Sequence, residues 1–169
     1  MQETFEMTDL GLLHHFLGIE VKQSKTGIFI TQRHYIADMM MFNMHQSKAI
    51  GTPMFVNEKL QAEDSSGAVD AKMYRSLVGR LLYATHTGPD ISYAVGILSM
   101  FVSSPSKLYF DSGKRVLRYL RGTQDYGIWY SGSSEYKLVG FSDSDWAGCM
   151  KDKKSTTWMI FNIGTGAVS

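Results

Sequence analysis

Two carboxylates two residues apart stand at the end of an apolar run: residues 138–148 read LVGFSDSDWAG. A β-strand turns alternate side chains to one face, so Asp143 and Asp145 point the same way. Paired carboxylates on a strand are how a divalent-metal nuclease site begins to be built. About two dozen residues follow, with one further acid, Asp152. A two-metal site needs several convergent carboxylates. The pair therefore suggests a chemistry and, within this stretch, an incomplete ligand set.

The second chemically suggestive stretch is basic. At 100° per residue, Lys107, Lys114, Arg118 and Arg121 fall in one narrow sector of a helix expected over residues 106–121. Tyr109, Gly113, Val116, Leu117 and Leu120 fall opposite, on a core face. Cations spaced by helix turns can track a phosphate backbone, with salt-dependent and sequence-independent binding. A plain solvated face is the competing reading. Arg118-Tyr119-Leu120-Arg121 also matches the R-x-L-R tetrapeptide of translocated oomycete effectors. That match is short, lies deep in a helix and lacks a signal peptide, so chance accounts for it. The histidines at 14, 15, 34, 45 and 86 show no zinc-like spacing with the single cysteine, Cys149. There is no glycine-rich phosphate loop and no nucleophile elbow.

These residues must be positioned by a chain of 169 residues, enough for a real core in one domain or two small ones. A net charge of +1 gives no global field toward nucleic acid or membrane, so any such affinity must be local. One cysteine excludes an internal disulfide. The acidic, polar start and the lack of any long apolar run indicate an intracellular protein without signal peptide or membrane span, in an otherwise unknown location.

Residues 10–21 read as strand or strand-turn, and Gly27 opens a short β run over Ile28-Phe29-Ile30, with Lys25-Thr26-Gly27 as the turn. Thr31 is the expected cap of a helix over residues 32–43. A polar loop fills residues 57–70. Three helices follow. The first spans residues 71–86, with Tyr74, Leu77, Val78, Leu81 and Leu82 on one stripe. The second spans 91–103, opened by Pro89. The third spans 106–121, with Ser104 as cap, Pro105 at the first position and Gly122 at C′. The period then changes to strands at 127–130 and 137–142, joined by the Gly132-Ser133-Ser134 turn, and at 156–163. The expected fold class is α+β.

Taken in order, these segments resemble Ty1/copia-type retrotransposon Pol polyproteins. The resemblance is carried by Phe5-Glu6-Met7-Thr8-Asp9-Leu10-Gly11, Phe16-Leu17-Gly18-Ile19-Glu20-Val21, Gln32, Tyr35 and Thr52-Pro53-Met54. It continues through residues 74–79, 81–83, 89–91, 93–95, 114–120 and 122–123, and closes with residues 142–148 and 154–156. Each segment is weak alone; together they cover nearly the whole chain. Gly88, residues 108–111 and residues 157–159 depart from the family pattern.

The resemblance implies the C-terminal part of a reverse transcriptase (an RNA-directed DNA polymerase) over residues 1–124 and the start of a ribonuclease H over residues 125–169. It implies an N-terminal β-hairpin, a central thumb-like helical bundle and an incomplete antiparallel ribonuclease H-like sheet. Phe16, Leu17 and Gly18 resemble the primer-grip hairpin. With Lys107, Lys114, Arg115, Arg118 and Arg121 they form the expected nucleic-acid-binding set, for an RNA–DNA hybrid or primer–template duplex. Asp143 matches the first ribonuclease H carboxylate and, with Asp145, would be an incomplete metal site. Mg²⁺ serves the intact family, and none is expected on the isolated fragment. The polymerase carboxylates would lie upstream and the later nuclease ligands downstream, so the expected state is a truncated fragment without catalysis. The absent palm and ribonuclease H segments would be its packing partners. Two other readings stand beside it: a nucleic-acid-binding or protein-interaction module reused by a host, and an active Mg²⁺-dependent ribonuclease H-like nuclease.

Overall fold

The structure is a computed structural model and describes residues 11–40, 44, 46–55, 65–132, 136–144 and 157–168. The expectations placed on residues 5–10, 57–64 and 145–156, among them Asp145, Cys149 and Asp152, lie outside the described residues. So do those on residues 41–43, His45 and the Ser133-Ser134 turn.

The described residues open with two tight antiparallel hairpins. β1 (His15–Phe16) pairs with β2 (Ile19–Ser24), and β2 pairs with β3 (Gly27–Thr31) around the Lys25-Thr26 turn. α1 (Arg33–Met39) follows. Thr31 does not cap it. Thr31 is the last residue of β3, buried, and its Oγ1 donates to the Tyr126 carbonyl at 2.8 Å. Gln32 occupies the cap position but its side chain points inward, where its Oε1 accepts from Thr87 Oγ1 at 2.9 Å.

The missing cap comes from the neighbouring strand. Glu20 of β2 accepts from the His34 amide at 3.0 Å, and its carboxylate lies 2.8 Å from His34 Nδ1. A carboxylate at a helix N-terminus satisfies an orphan donor and complements the helix dipole. Desolvation raises the Glu20 pKa, but the bonds and charge of His34 outweigh it and leave Glu20 below its ordinary value. A depressed folded pKa means stability that is present above the unfolded value and lost as pH falls through the folded one. Glu20→Gln is therefore expected to lower stability at pH 7 by about 0.5–1 kcal/mol. Melting curves of the two proteins should draw together as pH falls below about 4. A gap independent of pH would show that the Glu20 charge is not what holds α1.

α2 (Ala71–Ala84) begins at Asp70, whose carboxylate accepts from the Lys72 and Met73 amides at 2.8 and 3.4 Å. Its stripe buries Tyr74, Leu77, Val78 and Leu81, whereas Leu82 sits just off it, 44% exposed. Pro89–Ile91 form a 3-10 turn leading into α3 (Ser92–Ser99), which stops four residues before the expected end. α4 (Lys107–Gly122) is capped by Ser106, not Ser104, through the Tyr109 amide. Gly122 is the last helical residue, outside the left-handed region, and Thr123 closes the helix. The apolar stripes of α1 to α4 share one core with Ile36, Met39, Met40, Met44, Ile91, Ala94, Val95 and Leu98. Phe101 stacks on Tyr109 with ring centroids 4.1 Å apart. Each fully buried aliphatic side chain contributes about 1.5–3 kcal/mol relative to exposure. Tyr119 of α4 donates to the Asp90 carboxylate, and burial together with that bond pushes its phenol up to about 12.

β4 (Ile128–Ser131) departs from expectation. It does not form a hairpin with the next strand. It pairs antiparallel with β3, from Ile30↔Ile128 to Gly27↔Ser131, giving a sheet of order β1-β2-β3-β4. Ile128 is buried beneath this pairing, an anchor that a solvent-facing hairpin would not provide.

β5 (Leu138–Ser144), β6 (Thr157–Ile163) and β7 (Gly166–Ala167) make a second antiparallel sheet. Among the described residues it meets the first part of the molecule at two places. Tyr130 Oη donates to the Ala167 carbonyl at 2.5 Å, and Thr165 Oγ1 donates to the Trp129 carbonyl at 2.9 Å while accepting from the Ser131 amide. Trp158 lies 5.1 Å from the Tyr93 ring and covers Gly96 of α3. Among the described residues β5 is paired on one side only and is exposed along its length. The fold is α+β, with strands at both ends and helices between.

Candidate nucleic-acid interface

Phe16, Leu17 and Gly18 form the tip of the β1–β2 hairpin. The loop is two residues long, and both adopt left-handed backbone conformations: Leu17 at φ 48° and Gly18 at φ 80°. Two consecutive positive φ values define the turn whose twist matches paired strands. Glycine adopts this conformation freely, but a leucine there costs roughly 1–2 kcal/mol. The turn pushes both apolar side chains outward: Phe16 is 57% and Leu17 72% exposed. Leu12 and Leu13 extend the apolar surface along the preceding segment.

The tip is braced by α2. The Tyr83 hydroxyl donates to the Leu17 carbonyl, and its ring lies 3.7 Å from where a Cβ on Gly18 would be. Tyr35 of α1 meets the Tyr83 ring edge-on at 4.9 Å, and the His86 ring lies 5.2 Å from it. The Tyr35 hydroxyl donates to the Arg80 carbonyl at 3.2 Å, and burial raises its pKa. Sequence reasoning passed over Tyr83 as a functional residue. Tyr83 lies within residues 81–83, which carry the resemblance, one turn beyond Gly79 on the partly exposed side of α2.

The basic face of α4 forms as its periodicity requires, but its arginines have intrachain partners. Arg121 Nη1 donates to the carbonyls of Met44 and Ser47 at 3.1 and 2.6 Å. Arg118 Nε donates to the Lys48 carbonyl at 2.8 Å. Arg115 Nη2 donates to Thr52 Oγ1 at 2.9 Å, and its guanidinium lies 3.5 Å from the Phe55 ring centroid. The three guanidiniums thus fasten the chain after α1 against α4. Uncharged carbonyl and hydroxyl acceptors do not neutralise them, so the arginines keep their positive charge. Lys114 lies 3.9 Å from Asp111 and over the Phe110 ring, and Lys107 is exposed at the start of the helix. The R-x-L-R tetrapeptide lies inside α4, with Leu120 only 3% exposed in the core.

Asp143 lies on exposed β5, opposite Trp158 in the β5–β6 register. It lines a cleft of about 360 Å³ with Ser92, Tyr93, Phe141 and Trp158, among others. Asp145 falls outside the described residues. Among the described residues no group of three His, Cys, Asp or Glu side chains is placed to hold a metal ion. Among the described residues Asp143 is the one carboxylate lining this cleft, beside Tyr93, Phe141, Trp158, Met159 and Ile160. Among the described residues, no helix is long and apolar enough to cross a membrane.

The chain is 39% identical over 170 residues to the retrovirus-related Pol polyprotein from transposon RE1 of Arabidopsis thaliana, covering 100% of this chain and 12% of that protein. It is 40% identical over 172 residues to an uncharacterized mitochondrial protein of Arabidopsis thaliana, covering 100% of this chain and 70% of that one. It is 35% identical over 179 residues to the Pol polyprotein from transposon TNT 1-94 of Nicotiana tabacum, covering 100% of this chain and 13% of that protein. The chain therefore spans a small part of the length of the polyproteins it matches. No family model matches it, and no solved structure does.

Proposed function

The chain belongs to the Ty1/copia-type retrotransposon Pol family, and from that premise we propose that it is a nucleic-acid-holding segment, gripping an RNA–DNA hybrid or primer–template duplex without doing chemistry on it. The observation that carries this reading is the hairpin tip, which presents Phe16 and Leu17 to solvent on a turn held in a costly conformation. Strain kept at an exposed, braced position is a mark of a contact surface. Apolar side chains at such a tip can pack against a sugar face or a terminal base. The cations of α4 can follow the phosphates.

The test is fluorescence anisotropy with a labelled RNA–DNA hybrid carrying a recessed DNA 3′ end, titrated across salt from about 50 to 200 mM. Binding should weaken linearly on a log–log plot, by about 0.9 per phosphate contact. Replacing Phe16 and Leu17 together by alanine should weaken it about tenfold, the scale of one lost base-packing contact. Absence of binding at low salt would overturn the reading. Hybrid cleavage with Mg²⁺ that disappears in Asp143→Asn would overturn its non-catalytic part.

A further inference from the structure

Leu17 is an unfavourable residue for its place in the tip, and something outside the hairpin must hold it there. Two-residue turns of this hand favour asparagine, aspartate or glycine at the first position. Leucine has no polar side chain with which to stabilise its own left-handed backbone. The described residues supply one external bond to it, from the Tyr83 hydroxyl to the Leu17 carbonyl. Resting on the nucleic-acid-holding role proposed for the tip, we propose that Tyr83 is its positioning residue, fixing the angle at which Phe16 and Leu17 meet the nucleic acid.

The mount is built as a relay of rings. The Tyr83 ring packs against the turn, 3.7 Å from where a Cβ on Gly18 would stand, an ordinary van der Waals distance. Tyr35 abuts Tyr83 at an interplanar angle of 75°, and His86 flanks it at 38°, which leaves the Tyr83 ring little freedom to swing. Tyr35 is itself tied to the α2 backbone at Arg80. The tip angle is thereby referred to helices anchored in the core, across a hairpin whose own outward side chains touch solvent. Neither Phe16, Leu17 nor Tyr83 belongs to the buried core cluster, so the hydroxyl is not needed for the helices to pack.

The deciding experiment uses the full chain and Tyr83→Phe, which removes one oxygen and keeps the ring. Hybrid affinity is read by anisotropy, the Leu17 and Gly18 amides by NMR, and global stability by thermal melting. The expected result is about fivefold weaker hybrid binding, the worth of one hydrogen bond. It should come with shifted tip amides and an unchanged melting temperature. Adding Leu17→Asn, which tolerates the left-handed backbone, should return the Gly18 amide toward its original position. If Tyr83→Phe binds like the parent while Phe16→Ala does not, the positioning role is overturned and the holding role stands. If neither change weakens binding, the holding role fails and the inference falls with it. A melting temperature that drops in proportion to the affinity would assign Tyr83 to the core instead.

Discussion

Tyr74→Ala is expected to remove about 3–5 kcal/mol of folding free energy, a large share of the roughly 5–15 kcal/mol a domain of this kind possesses. Tyr74 is fully buried on the α2 stripe. Its hydroxyl donates to the Leu98 carbonyl at 2.8 Å, closing the end of α3, and burial drives its pKa upward, with Tyr109 adding to the effect. Alanine would leave a ring-sized void where α2, α3 and α4 meet and take one bond from the Leu98 carbonyl, which keeps the Phe101 amide at 3.2 Å. Tyr74→Phe separates the two effects. It keeps the ring and loses only the bond to Leu98, at about 1–3 kcal/mol. Urea unfolding followed by circular dichroism measures both. Equal losses for the two variants would mean that the hydroxyl, not the ring, holds the three helices together.

Gly127→Ala should cost about 3 kcal/mol, at the upper end for an overpacked site. A Cβ on Gly127 would stand 2.1 Å from the Ile30 carbonyl oxygen and 2.8 Å from the Phe29 ring. The oxygen belongs to the backbone of β3, so a rotamer change cannot relieve the clash and β4 must lift away. Gly51→Ala is the control: nothing lies within 4 Å of that Cβ, its φ lies outside the left-handed region, and the change should be neutral or slightly stabilising. Hydrogen exchange identifies the site of damage. Amides pairing β3 with β4 should lose protection, while those pairing β2 with β3 keep theirs. Uniform loss across the sheet would show that β4 supports the hairpins as a unit.

The helices were largely legible because their signals are local. The Tyr74, Leu77, Val78, Leu81 repeat and the polarity of α4 follow from a period of 3.6 residues. Caps were less legible, since more than one candidate oxygen stands near each start: Ser106 displaced Ser104, and Glu20 from another strand took the place given to Thr31. The partner of β4 left no local trace, because Ile30 and Ile128 pair across the whole helical stretch of the sequence. The same limit applies to the site. The cations of α4 were visible as a face, but their acceptors lie in residues 44–52, which carry no periodic pattern. The tip was recognised through resemblance, whereas its brace, Tyr83, depends on two elements separated by 66 residues.

The pairing of β3 with β4 also sets a clock. The two strands are roughly a hundred residues apart, and a ribosome delivers about 5–20 residues per second. β3 therefore waits on the order of ten seconds, with its outer hydrogen-bonding edge bare, until its partner emerges. The entropic cost of closing that span grows only logarithmically with its length. An unpaired edge carrying Ile28, Phe29 and Ile30 is a template for the same strand of a neighbouring nascent chain. On a crowded polysome, early collapse of α2 to α4 shortens that exposure by bringing residue 128 back to residue 30 as soon as it is made.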